Sequence, residues 1–241
     1  GNPERPEIMW QFEQAVLGIS AACKKFGIPV IGGNVSLYNE TSGSAVYPTP
    51  TIGMVGLIED ISLHASQWFK SEGDVVVLLG ETKEELGGSE YLKVIHKLDK
   101  GRPPHLDLDF EARVQEACLS AIQSGIIKSA HDCSEGGLAV ALAECCVSSK
   151  NTAAIGAKIT LPAHIMRRDA MLFGESQSRI IVSVAKEDIS EFMSVAERHG
   201  APAVVIGKVG GERLKIEGLI DIPVDELKAA WKDALERLLR G

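Results

Sequence analysis

The run Val75-Val76-Val77-Leu78-Leu79, preceded by Asp74, is the stretch that decides the fold of this chain. Five consecutive apolar residues, three of them β-branched, are typical of a strand whose two faces are both covered. Strands and helices are predicted to interleave around this run, but they do not alternate strictly and several strands are short. The order favours an α/β domain of the layered α+β kind with a mixed sheet over a doubly wound parallel sheet.

Apolar periodicity and terminating glycines predict the other elements of this part of the chain. Helices are predicted at 84–98, 109–124, 137–147, 187–199 and 225–239, and strands at 126–131, 155–161, 180–185, 204–209 and 214–217. The segment 137–147 is apolar almost throughout, which indicates a buried helix.

The N-terminal part of the chain has fewer elements. Asn2 and Pro3 are expected to begin a helix whose apolar residues recur with a period of 3.6 and which ends at Gly27. Strands are expected at 28–31, which should be buried, and at 51–57.

One helix and two strands are too few for a domain, because they leave sheet edges and an apolar face uncovered. We therefore expect a truncated first domain over residues 1–60 and a second domain over residues 61–241. The bare edges of the first domain predict self-association or poor solubility.

Composition excludes several classes of protein. The 241 residues carry a net charge of −8, which argues against a nucleic-acid partner. No apolar run is long enough to span a bilayer and no secretory signal precedes the first helix, so we expect no membrane partner. The five cysteines are an odd number without a CxxC pair, which favours a reducing, cytoplasmic location.

The strongest candidate site is the string Gly32-Gly33-Asn34-Val35-Ser36-Leu37-Tyr38-Asn39-Glu40. Its glycines let a ligand approach the backbone closely. On an extended chain Asn34 and Ser36 point to the same face, where an amide oxygen and a hydroxyl suit a phosphate and its Mg²⁺. The alternative is a glycine turn with two solvated polar residues, since short glycine-rich strings are weak motifs.

A second candidate lies between a predicted strand and the apolar helix, in the string His131-Asp132-Cys133-Ser134-Glu135-Gly136-Gly137. Free N–H groups and the helix dipole favour an anion there. Ser134 or Asp132 could instead cap the helix, and the two roles are compatible. His131 and Cys133 invite catalytic roles, but a histidine beside an aspartate is common in such loops, and packing is the better explanation for the cysteine.

The third candidate, Glu175-Ser176-Gln177, places a carboxylate, a hydroxyl and an amide just before a predicted strand. The roles of Asp132, Glu175 and Gln177 stay open at this point between ligand binding and a structural function.

Taken together, six strings resemble phosphoribosylformylglycinamidine synthase (FGAM synthase), specifically the second repeat of its large synthetase subunit, in the aminoimidazole ribonucleotide synthetase superfamily. Besides residues 32–40 they are Gly1-Asn2-Pro3-Glu4-Arg5-Pro6-Glu7, Met9-Trp10-Gln11, Tyr47-Pro48-Thr49-Pro50-Thr51-Ile52-Gly53-Met54-Val55-Gly56, His131-Asp132-Cys133-Ser134-Glu135-Gly136-Gly137-Leu138-Ala139 and Gly174-Glu175-Ser176-Gln177-Ser178-Arg179. The resemblance implies that residues 61–241 are the superfamily's C-terminal domain and that residues 1–60 are the tail of its N-terminal domain.

The resemblance also implies a reaction. The family converts formylglycinamide ribonucleotide, ATP and ammonia derived from glutamine to formylglycinamidine ribonucleotide, ADP and phosphate. This is an ATP-dependent ligase reaction that forms a C–N bond. Residue by residue, Gly33 would contact ATP, Asn34 would be a ligand of Mg²⁺ and Ser36 would bind the ribonucleotide.

No catalytic residue is implied in this chain, because the family's catalytic histidine lies in the other repeat. We therefore expect the chain to be inactive alone. The implied partners are the ribonucleotide substrate, the N-terminal repeat of the same polypeptide, a glutaminase subunit and a small accessory subunit. Two alternatives remain: another ATP-dependent synthetase or kinase of the superfamily, such as aminoimidazole ribonucleotide synthetase or selenophosphate synthetase, or a non-catalytic nucleotide-binding and docking module.

Overall fold

The computed structural model describes residues 1–149, 153–162, 166–232, 234 and 239, and it divides the chain into two compact units, 1–57 and 58–241. Within the described residues, no helix combines the length and the apolar character that crossing a bilayer would require.

The first unit contains one long helix and a short hairpin. Helix α1 spans Pro6–Phe26 and ends at Gly27 in the left-handed conformation, as predicted. Its predicted start was wrong: Arg5 is the N-cap and Pro6 the first helical residue. Asn2 forms a turn before the helix instead, because its side chain accepts a hydrogen bond from the backbone N–H of Glu4.

The two strands predicted in this unit are absent. Residues 28–31 and 51–57 have no strand structure, and Ile31 and Val55 are 94% and 99% exposed. A strand exists through its hydrogen bonds to a neighbour. The strands of the first unit are the two-residue partners β1 (Glu40–Thr41) and β2 (Ser44–Ala45), so these apolar segments lie unpaired.

The second unit is a seven-stranded sheet covered by helices. Its strands are β3 Val75–Leu79, β4 Ile127–Asp132, β5 Ala157–Ile159, β6 Ile180–Val184, β7 Ala203–Val209, β8 Arg213–Ile216 and β9 Ile220–Pro223. Its helices are α2 Glu90–His96, α3 Leu108–Gln123, α4 Gly137–Val147, α5 Arg168–Phe173, α6 Ile189–Arg198 and α7 Val224–Lys232. Part of the predicted helix 225–239 lies outside the described residues.

The sheet is mixed, which confirms the predicted fold class. Its strand order is β4-β6-β3-β7-β5-β8-β9, and every neighbouring pair is antiparallel except β5 and β8. The predicted strands are observed with shifts of a few residues at their ends, whereas α5 and β9 were not predicted. Helix α2 begins at residue 90 and not at 84, because Gly87 lies against the backbone of residue 102, where an added Cβ would be 2.1 Å from the carbonyl oxygen.

Strand β3 supplies two separate hydrophobic cores. All five of its residues are buried. Val76 and Leu78 face the core made with α4, α5 and α7, and the alternate residues face the core made with α3 and α6. Helix α4 has the predicted bounds and is buried along most of its length. Helices therefore cover both faces of a largely antiparallel sheet.

An ion pair between a buried carboxylate and a partly exposed lysine lies at the start of β3. Asp74 is 3% exposed, and its Oδ1 accepts a hydrogen bond of 2.8 Å from Nζ of Lys128 on β4. Its Oδ2 is buried without a hydrogen-bond partner among the described residues. Lys128 therefore neutralises the Asp74 carboxylate, which would destabilise the fold if it were buried without a cation.

We predict that Lys128→Met lowers the free energy of unfolding by about 2–3 kcal/mol, because it leaves the Asp74 carboxylate buried without its cation. Urea denaturation would measure the change. Lys158→Met, at an exposed lysine of β5, is the matched control and should change stability little. Adding Asp74→Asn to Lys128→Met should recover part of the loss. Equal effects of the two lysine substitutions would contradict this role of Lys128.

Candidate functional site

The string at residues 32–40 is an exposed segment of the first unit that is irregular as far as Asn39, and its last residue, Glu40, begins β1. The Asn34 amide nitrogen donates a hydrogen bond of 3.3 Å to the Ser36 hydroxyl, so the two polar side chains lie side by side. Asn39 donates to the Ser36 carbonyl at 3.1 Å, and Tyr38 adopts a positive φ of 60° while its N–H donates to the carbonyl of Gly1. These hydrogen bonds tie the segment to itself and to Gly1.

Packing within the chain does not account for the two glycines of this segment. An added Cβ at Gly32 or Gly33 would meet no atom of the described residues within 4 Å, and neither glycine has a positive φ. The backbone here has open space beside it. That space is the feature a ligand would need in order to approach the Gly33 amide.

The oxygen atoms of this segment suit a magnesium ion in part. The Asn34 side chain uses its nitrogen toward Ser36, and its carbonyl oxygen is of the hard type that Mg²⁺ prefers. No group of three or more His, Cys, Asp or Glu side chains within the described residues could hold a metal. Asn34 therefore offers one oxygen ligand, and an ion bound here would need its other ligands from water or from a bound phosphate.

The second candidate string forms the loop between β4 and α4. The residue that caps α4 is neither Asp132 nor Ser134, the two that were expected. Gly136 is the N-cap of α4, and its N–H donates at 2.8 Å to the Glu175 carboxylate from a distant loop. The Ser134 hydroxyl donates to Asp132 instead of capping the helix. Gly137 has a positive φ of 69°, and an added Cβ would lie 2.5 Å from the carbonyl oxygen of Gly174. Chain packing explains this glycine without a ligand.

His131 belongs to a charge cluster that joins β4 to α4. Its Nε2 lies 2.8 Å from Glu144 and its Nδ1 lies 3.6 Å from Asp132. Burial alone would lower the pKa of His131, but hydrogen bonds and charge attraction from the two carboxylates outweigh it and raise the pKa to about 9. The hydrogen bond from His131, with help from Ser134, holds the pKa of Asp132 well below its usual range. A histidine that stays protonated near neutral pH does not serve as a general base.

Cys133 is a packed core residue. It is 7% exposed, and burial raises the pKa of its thiol to about 11. Because a reactive cysteine needs a lowered pKa and access to solvent, this one is not poised as a nucleophile.

The third candidate string is held by many hydrogen bonds. Oε1 of Glu175 accepts from the backbone N–H groups of Glu90 and Gly136, both at 2.8 Å, whereas Gln177 is exposed and donates to the carbonyl of Glu175. Ser176 is 1% exposed, and its hydroxyl accepts from the backbone N–H of Lys83. The strand register places Leu79, Asp132 and Ile180 side by side, so the second and third strings meet at one end of the sheet.

Sequence reasoning missed Arg179. This arginine is 2% exposed, and it donates to the carbonyls of Gly174 at 2.6 Å and Ser176 at 3.0 Å and to the Thr82 hydroxyl at 3.2 Å. A charged residue directly before an apolar strand is the signal that could have revealed it, since four of the five residues of β6 are buried.

A cavity of about 470 Å³ lies beside the end of β3 in the second unit. Its described lining is mainly aliphatic and thioether, with Leu78, Leu138 and Met171 among its walls, and Glu81 is its charged residue. Because a phosphate needs cations or free N–H donors, this lining does not suit one.

Comparisons with known proteins agree along the whole chain. The family model described as AIR synthase related protein, C-terminal domain, matches residues 71–218, and the corresponding N-terminal domain model matches residues 1–58. The phosphoribosylformylglycinamidine synthase subunit PurL of Anaeromyxobacter dehalogenans strain 2CP-C is 50% identical over 246 residues, covering 100% of this chain and 32% of the relative. That of Caldanaerobacter subterraneus subsp. tengcongensis is 47% identical over 240 residues, covering 98% and 32%.

The chain thus spans about a third of the length of the curated relatives it matches. Among solved structures, Thermotoga maritima PurL complexed with FGAR matches with a TM-score of 0.59 and 22% identity, covering 70% of this chain and 30% of that one. At that identity the likeness shows the fold.

We predict that the stability contributed by His131 depends on pH. Its folded-state pKa of about 9 lies above the ordinary value of 6.5, so the stabilisation is complete below about pH 6.5 and is lost as the pH rises through 9. His131→Gln should lower the free energy of unfolding by about 2–3 kcal/mol at pH 6 and by much less at pH 9.5. Denaturant titrations of both proteins across this range would measure the difference. If the difference in unfolding free energy between the two proteins does not shrink as the pH rises, the ion pairs of His131 are not its source.

Proposed function

This chain belongs to the AIR synthase related family, and we propose that it is the second-repeat part of the synthetase subunit of FGAM synthase. The observation that carries the proposal is the identity of about one half, along its whole length, to proteins named as subunits of that enzyme. We assign residues 1–60 to the end of the N-terminal-type domain and residues 61–241 to the C-terminal-type domain. The family matches at 1–58 and 71–218 support this division.

The proposed reaction is the ATP-dependent formation of an amidine. The formamide oxygen of formylglycinamide ribonucleotide attacks the γ-phosphorus of ATP, and ADP leaves. Ammonia then adds to the activated carbon, and phosphate departs with the former formamide oxygen. Such a transfer depends chiefly on positioning and on neutralising the phosphate charge, for which we propose Mg²⁺ as the counter-ion.

The exposed segment of the first unit supports specific roles in this reaction. We propose that the Gly33 backbone contacts ATP, that the Asn34 oxygen is a ligand of Mg²⁺ and that the Ser36 hydroxyl binds the ribonucleotide. The open space beside Gly33 and the adjacent side chains of Asn34 and Ser36 support these assignments.

We propose four partners: the ribonucleotide, the N-terminal repeat of the same polypeptide, a glutaminase subunit and a small accessory subunit. The exposed apolar residues of the first unit, including Ile31 and Val55, support a partner that covers them. We also propose a reducing, cytoplasmic location, which is supported by five free thiols, four of them buried.

We predict that this chain alone does not make the amidine. Given formylglycinamide ribonucleotide, ATP, Mg²⁺ and ammonia, its rate should be at least about 10³-fold below that of the intact synthetase, because the catalytic histidine that the family implies lies in the other repeat. A coupled assay for ADP release would measure both proteins. A rate near that of the intact enzyme would overturn the proposal. A rise in melting temperature with ADP and Mg²⁺ but without turnover would favour the nucleotide-binding module for the isolated chain.

We predict that substitutions at the two polar side chains separate metal binding from substrate binding in the intact synthetase. Asn34→Ala should raise the Mg²⁺ concentration needed for half-maximal rate, whereas Ser36→Ala should cost about 1–3 kcal/mol in kcat/KM for the ribonucleotide, the usual penalty for an unpaired polar partner. Gln14→Ala, at an exposed amide of α1, is the control. An unchanged Mg²⁺ dependence would remove Asn34 from the metal site, and unchanged kcat/KM would remove Ser36 from the substrate site.

A further inference from the structure

One carboxylate joins the N-terminal ends of two helices in the second unit. Oε1 of Glu175 accepts a hydrogen bond from the N–H of Glu90, the first residue of α2, and from the N–H of Gly136, the N-cap of α4. Both donors lie 2.8 Å away, and they are 85 and 39 residues from Glu175 in sequence. The side chain therefore ties together parts of the chain that are adjacent only in the folded domain.

Helix α4 needs an anion at this end and has none of its own. Its N-cap is a glycine, and its first turn contains no acidic residue. The first N–H groups and the dipole of a helix attract negative charge. Glu175 supplies that charge from the loop before β6, at the place where the sequence pattern favours a bound anion.

The backbone on both sides of Glu175 is fixed independently of its carboxylate. Arg179 donates to the carbonyls of Gly174 and Ser176, the two residues that flank Glu175. The Ser176 hydroxyl accepts from the N–H of Lys83 and donates to its carbonyl. The N–H of Glu175 itself donates to the carbonyl of Glu85 at 3.2 Å. Its side chain therefore starts from a fixed position.

Charge balance points the same way. Burial lowers the pKa of Arg179, while the charges of Glu85 and Glu175 act in the opposite direction and favour the charged guanidinium. The three oxygens that Arg179 contacts directly are neutral. A buried cation of this kind needs negative charge nearby, and Glu175 provides part of it.

We propose that Glu175 is a positioning residue that acts as an internal anion: it fills the anion-binding position at the start of α4 and fixes three loops to one another. These loops are residues 80–89, 133–136 and 174–179, hereafter the loop cluster. With Glu175 in place, the Gly136 N–H is not available to a phosphate. The inference does not rest on the proposed enzymatic function, and its test uses no turnover.

The experiment compares Glu175→Ala with the unmodified chain by thermal melting and by hydrogen exchange at the amides of Glu90 and Gly136. We expect the melting temperature to fall by about 4–8 °C and both amides to exchange about tenfold faster or more, because each loses a charged acceptor. Sodium formate is the probe for the vacated position and is compared with sodium chloride at equal ionic strength. Formate should restore at least about 2 °C to Glu175→Ala and slow exchange at both amides.

Two further variants keep the result interpretable. Gln177→Ala removes an exposed neighbouring amide and should neither change the two exchange rates nor respond to formate. Glu175→Gln keeps an acceptor oxygen without the charge, so its melting temperature should lie between those of the other two forms, and it carries the exchange test if the alanine variant does not fold. The proposal is overturned if Glu175→Gln equals the unmodified chain, if one of the two amides keeps its protection, or if formate stabilises every variant equally.

Discussion

Burial of β3 on both faces is the constraint on which the second unit depends. Side chains along a strand alternate between the two faces, so one short apolar run must be covered by two layers of helices. Val76 and Leu78 require the layer that contains α4, and Val77 requires the layer that contains α3 and α6. A strand in that position also needs a neighbour on each side, and β6 and β7 provide them. The ends of β3, β4 and β6 then lie together, which places the loop cluster at one end of the sheet.

Local pattern predicted those parts of the structure whose cause is local. Strand β3 and the bounds of α4 could be predicted because an element that is buried on all sides consists almost entirely of apolar residues, and such a run is easy to recognise in the sequence. The predictions of strands at 28–31 and 51–57 were wrong because the cause of a strand is not local. Their apolar residues fit a strand, but a strand also needs a partner to pair with. The described first unit does not offer one. The prediction that Asp132 or Ser134 caps α4 was wrong for a similar reason. Asp132 and Ser134 are near the helix in sequence, yet the carboxylate that reaches Gly136 comes from residue 175.

The two glycine pairs show that one sequence motif can have two different structural causes. Gly136 and Gly137 have positive φ angles, and Gly137 lies against Gly174, so the fold of this chain requires it. Gly32 and Gly33 have open space beside them, and nothing in the packing of the described residues requires a glycine at either position. In sequence the two pairs look alike, and both suggested an anion. At Gly32 and Gly33 the open space supports our proposal that a ligand binds there. At Gly136 and Gly137 the anion is a carboxylate of the protein itself, that of Glu175.

The pairing of β3 also has a consequence for how the protein is made. Val75–Leu79 pairs with Ile180–Val184 and with Ala203–Val209, so its partners follow it by more than about a hundred residues of chain. At the usual pace of about 5–20 residues per second, a ribosome needs on the order of ten seconds to deliver them. During that interval the most apolar strand of the domain has neither of its neighbours. The nascent chain therefore exposes this apolar segment for seconds, and transient exposure of that kind favours aggregation over correct pairing.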